Sequence, residues 1–104
     1  MLLSKRVKKY NLEYAANMLK VIAHPVRLNI IDLLLRQRRL TVLDIQTALD
    51  LDQAIASQHL ILMKDKGVLM AEKVGRNRFF SLVYPNMKQI IKCLEDCCNN
   101  KITS

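Results

Sequence analysis

The most reactive side chains of this sequence are three thiols close to its C-terminus, those of Cys93, Cys97 and Cys98. Cys93 and Cys97 are four residues apart, so on a helix their thiols lie one turn apart and could share a soft metal ion or arsenite. Alternatively, Cys97 and Cys98 pack as small apolar side chains, or thiols of two protomers form a disulfide. The spacing alone leaves these three interpretations open.

Ser57 and His59 are the other side chains that could work together, as a nucleophile and its general base. Two residues apart on a helix, they point about 200° away from each other. No acidic side chain is placed to orient the histidine. His59 and His24 are better explained as hydrogen-bonded core histidines. We therefore expect a protein that is not an enzyme.

The balance of charges indicates a polyanionic partner. Seventeen Lys and Arg residues against nine Asp and Glu residues give a net charge of +8 at pH 7. Such a charge favours nucleic acid, through long-range attraction and the release of counterions. No apolar run approaches the roughly 18 residues that a membrane-spanning helix needs, so we expect no membrane partner.

Length and cysteine usage limit the architecture and the compartment. A chain of 104 residues fits a single domain, residues 1–104, with one hydrophobic core. The odd number of cysteines argues against a disulfide-stabilised secreted domain. The charges of Lys5 and Arg6, starting two residues after the Leu2-Leu3 pair, argue against a secretory signal. We expect a cytoplasmic protein with reduced thiols.

Helical periodicity dominates the first half of the chain. Apolar residues at helical spacing predict a first helix over about residues 11–23, ended by Pro25. A second, strongly apolar helix begins at Pro25, and we expect it to be the central helix of the core. Thr41 and Asp44 can form a capping box at the start of a short third helix over about residues 42–49.

A tight turn leads into a fourth helix over about residues 53–66. Asp50 tolerates the left-handed conformation of a helix exit, and the carboxylate of Asp52 can cap the next helix. The helical period separates two faces of this fourth helix. We expect the packed face to hold Ile55, Ala56, His59, Leu60 and Met63, and the presented face to hold Ala54, Ser57, Gln58 and Ile61.

The pattern after Gly67 changes to β-rich segments at about residues 68–74 and 78–84, separated by Gly75, Arg76 and Asn77. They predict a hairpin with a basic tip, and a last helix follows over about residues 86–99. The predicted fold is mainly α with a small β-hairpin (α+β), in the order α-α-α-α-β-β-α. This is a winged helix-turn-helix, with the helix-turn-helix at about 42–66 and the wing at about 68–84.

Four segments in the expected order resemble the ArsR/SmtB family of dimeric winged-helix repressors. They are the run from Leu19 to Leu28 around His24-Pro25-Val26-Arg27, then Leu43 to Leu49, Gln53 to Leu60, and Lys66 to Leu69. The resemblance extends into Gly75 to Leu82, which is similar to the wing of the family, and so covers about residues 15–83.

The resemblance implies that the fourth helix is a recognition helix and that the hairpin contacts DNA. The implied DNA-binding residues are Gln53, Ala54, Ser57, Gln58, Lys73, Arg76, Asn77 and Arg78. Glutamine can pair with adenine, alanine can touch a thymine methyl, and serine can bond a base or a phosphate. Ile61 stands where relatives often carry a basic residue, so the resemblance leaves open whether an apolar groove contact replaces a backbone contact there. The basic run from Lys5 to Lys9 is either a DNA-reaching arm or a solvated helix start.

The resemblance also implies a homodimer built from the helices at about residues 11–23 and 86–99. Its interface would comprise Leu12, Leu19, Met87, Ile90, Ile91 and Leu94. Two recognition helices would then meet major grooves about 34 Å apart, so the expected operator is an imperfect palindrome.

The Cys-x-Cys pair and the last-helix histidines that bind metals in many relatives are missing here. We therefore assign no cofactor from the sequence. A soft metal ion or arsenite at the C-terminal cysteines stays open as an alternative.

Taken together, these features predict a sequence-specific DNA-binding transcriptional regulator. We expect a dimeric repressor that binds a palindromic operator in double-stranded DNA, and the sequence leaves open whether it responds to thiol chemistry or to a metalloid. The alternative is a winged-helix interaction module that uses the same basic face to bind an acidic protein segment.

Overall fold

The computed structural model describes residues 1–103, and no helix within them is long and apolar enough to cross a lipid bilayer. In chain order the elements are α1 (Leu3–Arg6), α2 (Lys9–Ile22), α3 (Pro25–Arg36), β1 (Leu40–Thr41), α4 (Val42–Leu49), α5 (Gln53–Asp65), β2 (Leu69–Val74), β3 (Asn77–Leu82), a 3-10 turn (Pro85–Met87) and α6 (Lys88–Thr103). The strands form an antiparallel sheet in the order β1-β3-β2. The predicted mainly α winged helix-turn-helix is confirmed.

Helix α3 is the centre of the hydrophobic core, as the sequence predicts. Its Ile30 and Ile31 are completely buried, and they belong to one cluster with Leu60 of α5 and Phe80 of β3. Burying such a side chain contributes about 1.5–3 kcal/mol to folding. The core thereby fixes α5 and the sheet relative to each other.

The turn between α4 and α5 is built largely as predicted. Thr41 Oγ1 accepts a hydrogen bond from the Asp44 amide at 3.1 Å, and Asp44 Oδ2 accepts one from the Thr41 amide at 3.0 Å, which confirms the capping box. Asp50 adopts the left-handed conformation with φ 53°. The predicted cap by Asp52 is wrong, because its exposed carboxylate makes no hydrogen bond to the start of α5. The exit of α4 is closed by the Leu51 amide, which donates to the Gln46 carbonyl.

Strand β1 was not expected from the sequence, which predicts a two-stranded ribbon. Leu40 pairs with Phe80 and Thr41 with Phe79, so β1 adds a third strand beside β3. Two residues are too few to produce an alternating pattern, and the pairing depends on the burial of Leu40 in the core. The short helix α1 and the 3-10 turn are further additions to the predicted order, so the predicted fourth helix is α5 of the structure.

Two apolar side chains lie elsewhere than expected. Ile55, predicted to pack, is 42% exposed, because the buried stripe of α5 runs through Ala56, Leu60 and Met63 and leaves Ile55 at its edge. Met87, predicted at a dimer interface, is 4% exposed and belongs to the core of its own chain. It ends the 3-10 turn that precedes α6, and this turn directs it inward.

Gly67 allows α2 to lie close to the exit of α5. It has φ +83°, and the next residue closes α5 by donating from the Val68 amide to the Met63 carbonyl at 2.9 Å. A Cβ atom at this position would collide with the hydroxyl of Tyr14 on α2. Glycine is therefore required both by the backbone conformation and by the contact.

Candidate nucleic-acid interface

The presented face of α5 carries the residues expected to read bases. Gln53, Ala54 and Gln58 are exposed and Ser57 is half-buried, while the opposite side of the helix is held by the core. Ile61 lies on the presented face and is 47% exposed. The run from Gln53 to Met63 contains no Lys, Arg, Asp or Glu. The helix therefore offers amides, a hydroxyl and apolar groups, which suit base edges better than phosphates.

The end of the β2–β3 hairpin, residues 73–78, which we call the wing tip, brings the predicted cations together. Lys73 pairs with Arg78 and Val74 with Asn77, so Gly75 and Arg76 form a two-residue turn. Gly75 has φ +63°, which the tight turn requires. The side chains of Lys73, Arg76, Asn77 and Arg78 are all exposed. Three positive charges are thus concentrated at one end of the sheet.

The cations of the wing tip are free to bind phosphate. The ion pairs of the described residues join Asp32 to Arg36 at 3.3 Å and Lys92 to Asp96 at 3.1 Å, both on the surface and within one helix. The Arg78 guanidinium lies 5.3 Å from the centre of the Phe80 ring, which steadies the side chain without neutralising it. No carboxylate therefore competes with a phosphate for these groups in the part of the chain described.

Arg39 is a further candidate that the sequence analysis did not assign. Its guanidinium lies 4.5 Å from the centre of the Phe79 ring on β3. The residue is exposed and directly precedes β1. The sequence signal was a basic, polar run from Arg36 to Arg39 at the end of a helix, which does not indicate that β1 carries this run onto the sheet.

A cluster of polar side chains lies behind α5. Arg27 of α3 donates from Nε to Nδ1 of His59 at 3.1 Å and from Nη1 to the carbonyl of Val21 at 2.9 Å. His24 caps α3, since its Nδ1 accepts from the Val26 amide at 3.1 Å, and its ring centre is 4.8 Å from that of His59. Both histidines are therefore hydrogen-bonded, as predicted.

The protonation of His59 follows from these surroundings. Partial burial lowers its pKa below the ordinary 6.5, and the charges of Arg27 and His24 lower the pKa further. His59 is consequently neutral at pH 7, which leaves its Nδ1 able to accept the hydrogen bond from Arg27. No role is predicted for Arg27 from the sequence, although an arginine inside a strongly apolar helix is itself an unusual signal.

The three cysteines occupy α6, and all of them are exposed in the single chain. The charge of Cys93 and a hydrogen bond between the two side chains raise the pKa of the Cys97 thiol. Cys98 instead lines a groove between α3 and α6, beside Leu28 and Ile91. Among the described residues no group of three or more His, Cys, Asp or Glu side chains is arranged to hold a metal ion. The structure thus places the soft donors Cys93 and Cys97 one helical turn apart on α6.

An apolar groove of about 470 Å³ opens between α2 and the start of α6. Leu19 and Ile90 line it, and Leu19 is 53% exposed. The other residues predicted at the interface are Leu12, Ile91 and Leu94, of which the first two are half-buried and Leu94 is 41% exposed. Apart from Met87, these residues therefore leave an apolar surface that a single chain does not cover.

The sequence is similar to known bacterial regulators. A family model described as "Bacterial regulatory protein, arsR family" matches residues 24–70. The transcriptional repressor PagR of Bacillus anthracis is 37% identical over 89 residues, which cover 86% of this chain and 89% of PagR. The arsenical resistance operon repressor of Escherichia coli K12 is 40% identical over 57 residues, which cover 55% of this chain and 49% of that protein.

Solved structures are similar as well. The crystal structure of PagR matches with a TM-score of 0.76 at 38% identity, covering 84% of this chain and 99% of PagR. HlyU from Vibrio cholerae matches with a TM-score of 0.74 at 30% identity, covering 88% of this chain and 97% of HlyU. Because most of each chain is covered, the similarity is not confined to the helix-turn-helix.

Proposed function

Because the chain belongs to the arsR family of bacterial regulatory proteins, we propose that it is a cytoplasmic repressor of transcription that binds operator DNA as a homodimer and catalyses no reaction. The observation that carries the proposal is the pairing of an uncharged, exposed face on α5 with a wing tip whose cations have no acidic partner among the described residues. The first can read bases, and the second can bind phosphates.

In this proposal α5 enters the major groove. Gln53 and Gln58 pair through their amides with adenine edges, Ala54 contacts a thymine methyl, and Ser57 bonds a base or phosphate oxygen. Lys73, Arg76 and Arg78 of the wing tip, with Asn77 between them, contact the sugar-phosphate backbone beside the site. The wing tip thus supplies affinity, and the helix supplies sequence preference.

The homodimer is proposed to form through the apolar surface of α2 and α6. Leu19 and Ile90 line the groove that a second copy would fill. A two-fold axis through this surface places the recognition helices in grooves about one helical turn, or 34 Å, apart. The operator is then an imperfect palindrome, and repression results from its occupancy.

A mobility-shift assay with the full chain tests this function. A duplex from the promoter region of the chain's own gene should be retained at physiological salt in the presence of nonspecific competitor DNA. Affinity should fall steeply as salt rises, since each neutralised phosphate contributes about −0.9 to the logarithmic slope. Failure to shift this duplex, combined with binding to an acidic peptide, would support the interaction module in place of the repressor.

We further propose that trivalent arsenic or a soft metal ion acts on the repressor through Cys93 and Cys97. These thiols lie one helical turn apart on α6 and are both exposed, so a thiophilic ligand can reach both. A similar protein is named as the repressor of an arsenical resistance operon. This pair supplies two thiols, so a third ligand has to come from outside it.

The effector proposal predicts different responses from otherwise similar variants. Arsenite should weaken operator binding by the reduced wild-type protein at least tenfold. The response should be lost in Cys97→Ser and kept in Cys98→Ser, the matched control, because Cys98 faces the groove between α3 and α6. Operator affinity would be measured by fluorescence anisotropy with arsenite, zinc or a mild oxidant. A wild-type affinity that none of these reagents changes would contradict the proposal.

A further inference from the structure

Arg27 connects three elements that are distant in sequence. It belongs to α3, its Nη1 bonds the Val21 carbonyl in the last turn of α2, and its Nε bonds His59 in the middle of α5. The side chain is half-buried, so these bonds are partly shielded from water. A hydrogen bond from a charged donor contributes more than a neutral one, and shielding strengthens it.

Each of the two bonds has a clear physical reason. The carbonyls in the last turn of a helix lack partners within the helix, and a cation at that end is favourable for the helix dipole. The Val21 carbonyl meets both conditions. On the other side, neutral His59 offers Nδ1 as an acceptor, and the planar guanidinium directs Nε and Nη1 to different partners at once.

The contact with His59 lies on the side of α5 away from the presented residues. The core holds α5 through the apolar side chains of Ala56, Leu60 and Met63. Such contacts constrain the rotation of a helix about its axis less sharply than a directed hydrogen bond does. His59 is two residues after Ser57 and one after Gln58, so a rotation that broke its bond would also move both of these side chains.

We infer that Arg27 is a positioning residue for DNA binding, which holds α5 in the rotation that presents Gln58 and Ser57 by linking His59 to the end of α2. This inference rests on the proposed function, because it takes α5 to be the helix that meets DNA. Arg27 itself touches no DNA. The same link makes the orientation of α5 depend on α2, which also lines the apolar groove.

The link depends on the protonation of His59. A proton on Nδ1 removes the acceptor and places a second positive charge against Arg27. The groups that act on the protonation of the ring are Arg27 of α3 and His24, which caps α3. The contact is therefore present above the ordinary pKa of 6.5 and is lost as the pH falls through the lowered pKa of His59. DNA binding should weaken in this range, although added positive charge alone would strengthen it.

The test measures the affinity of the full chain for a duplex from the promoter region of its own gene, across salt and pH. Arg27→Met, which keeps the stem and removes the donors, should bind about tenfold more weakly at neutral pH with an unchanged salt slope. Arg27→Lys, which keeps the charge and can satisfy one partner, should lie between this variant and the wild type. Thermal unfolding and the mass in solution are measured for each variant, to check that it is folded and dimeric.

Two histidine variants serve as matched controls. His59→Asn keeps an acceptor close to the position of Nδ1 and cannot take up a proton, so it should bind as the wild type at neutral pH and lose the weakening at acid pH. His24→Asn keeps the cap of α3 and removes the neighbouring imidazole, so the acid weakening should persist.

In the free protein, Arg27→Met should accelerate amide exchange in α5 relative to α4.

Several results would overturn the inference. Wild-type affinity in Arg27→Met would do so, as would a salt slope smaller by about one, which would make Arg27 a phosphate contact. Tighter wild-type binding at acid pH would contradict the role of His59. If the wild-type chain binds no promoter duplex, the proposed function fails, and amide exchange of α5 still decides whether Arg27 holds the helix.

Discussion

Leu19→Glu is expected to convert the proposed dimer into monomers and to weaken operator binding by about 100-fold or more. Leu19 is 53% exposed in the single chain and lines the apolar groove between α2 and α6, so a carboxylate there costs the monomer little. In the dimer, the carboxylates would be buried in an apolar seam without partners. A monomer then holds one half-site and loses the high effective concentration of the second recognition helix.

The mass in solution and the operator affinity test this expectation together. Leu19→Met keeps the apolar contact and should remain dimeric with unchanged affinity. Met70→Glu adds the same charge at another exposed apolar position, on β2, and should also remain dimeric. A Leu19→Glu protein that has the mass of two chains, or that binds the operator normally as a monomer, would contradict the assigned interface.

The double variant Arg76→Ala/Arg78→Ala should weaken operator binding by about tenfold to 100-fold. The slope of log affinity against log salt should become about 1.8 less steep, which corresponds to the loss of two phosphate contacts. Both residues belong to the wing tip and are exposed, and neither forms an ion pair among the described residues. The loss should be similar on different operator sequences, because phosphate contacts carry little sequence information. Folding should change little, since the contact of Arg78 with Phe80 contributes about 0.5–1 kcal/mol at an exposed site.

A control with the same change in net charge separates local contacts from the general field of the protein. Arg36→Ala/Lys92→Ala also removes two cations, but each is paired with a carboxylate in its own helix. This control should leave the salt slope nearly unchanged. Equal losses of affinity in the two double variants would mean that the wing tip acts by charge alone, without the predicted contacts.

Local features of the fold could be predicted because they depend on residues a few positions apart. The capping box needs Thr41 and Asp44, the exit of α4 needs a residue that accepts φ 53° at Asp50, and the wing tip needs a tight turn at Gly75. The presented face of α5 follows from the helical period. The family resemblance covered the same segments and gave the expectation of DNA binding.

Other features depend on which distant segments meet, and these required the structure. Leu40 belongs to a strand because it pairs with Phe80. Met87 is buried in the core because the 3-10 turn directs its side chain inward. The side chain of Asp52 makes no capping hydrogen bond at the start of α5, although aspartate is favoured at this position. None of these outcomes has a periodic or local signal in the sequence.

The kind of molecule follows from the residues alone: a basic chain whose helical and alternating patterns specify a helix-turn-helix with a charged hairpin. Tertiary structure decided which side chains support that surface. Arg27 and His59 are 32 residues apart and bond only because α3 and α5 pack together in the core. Directed bonds between distant elements are set by packing, which no local pattern in the sequence specifies.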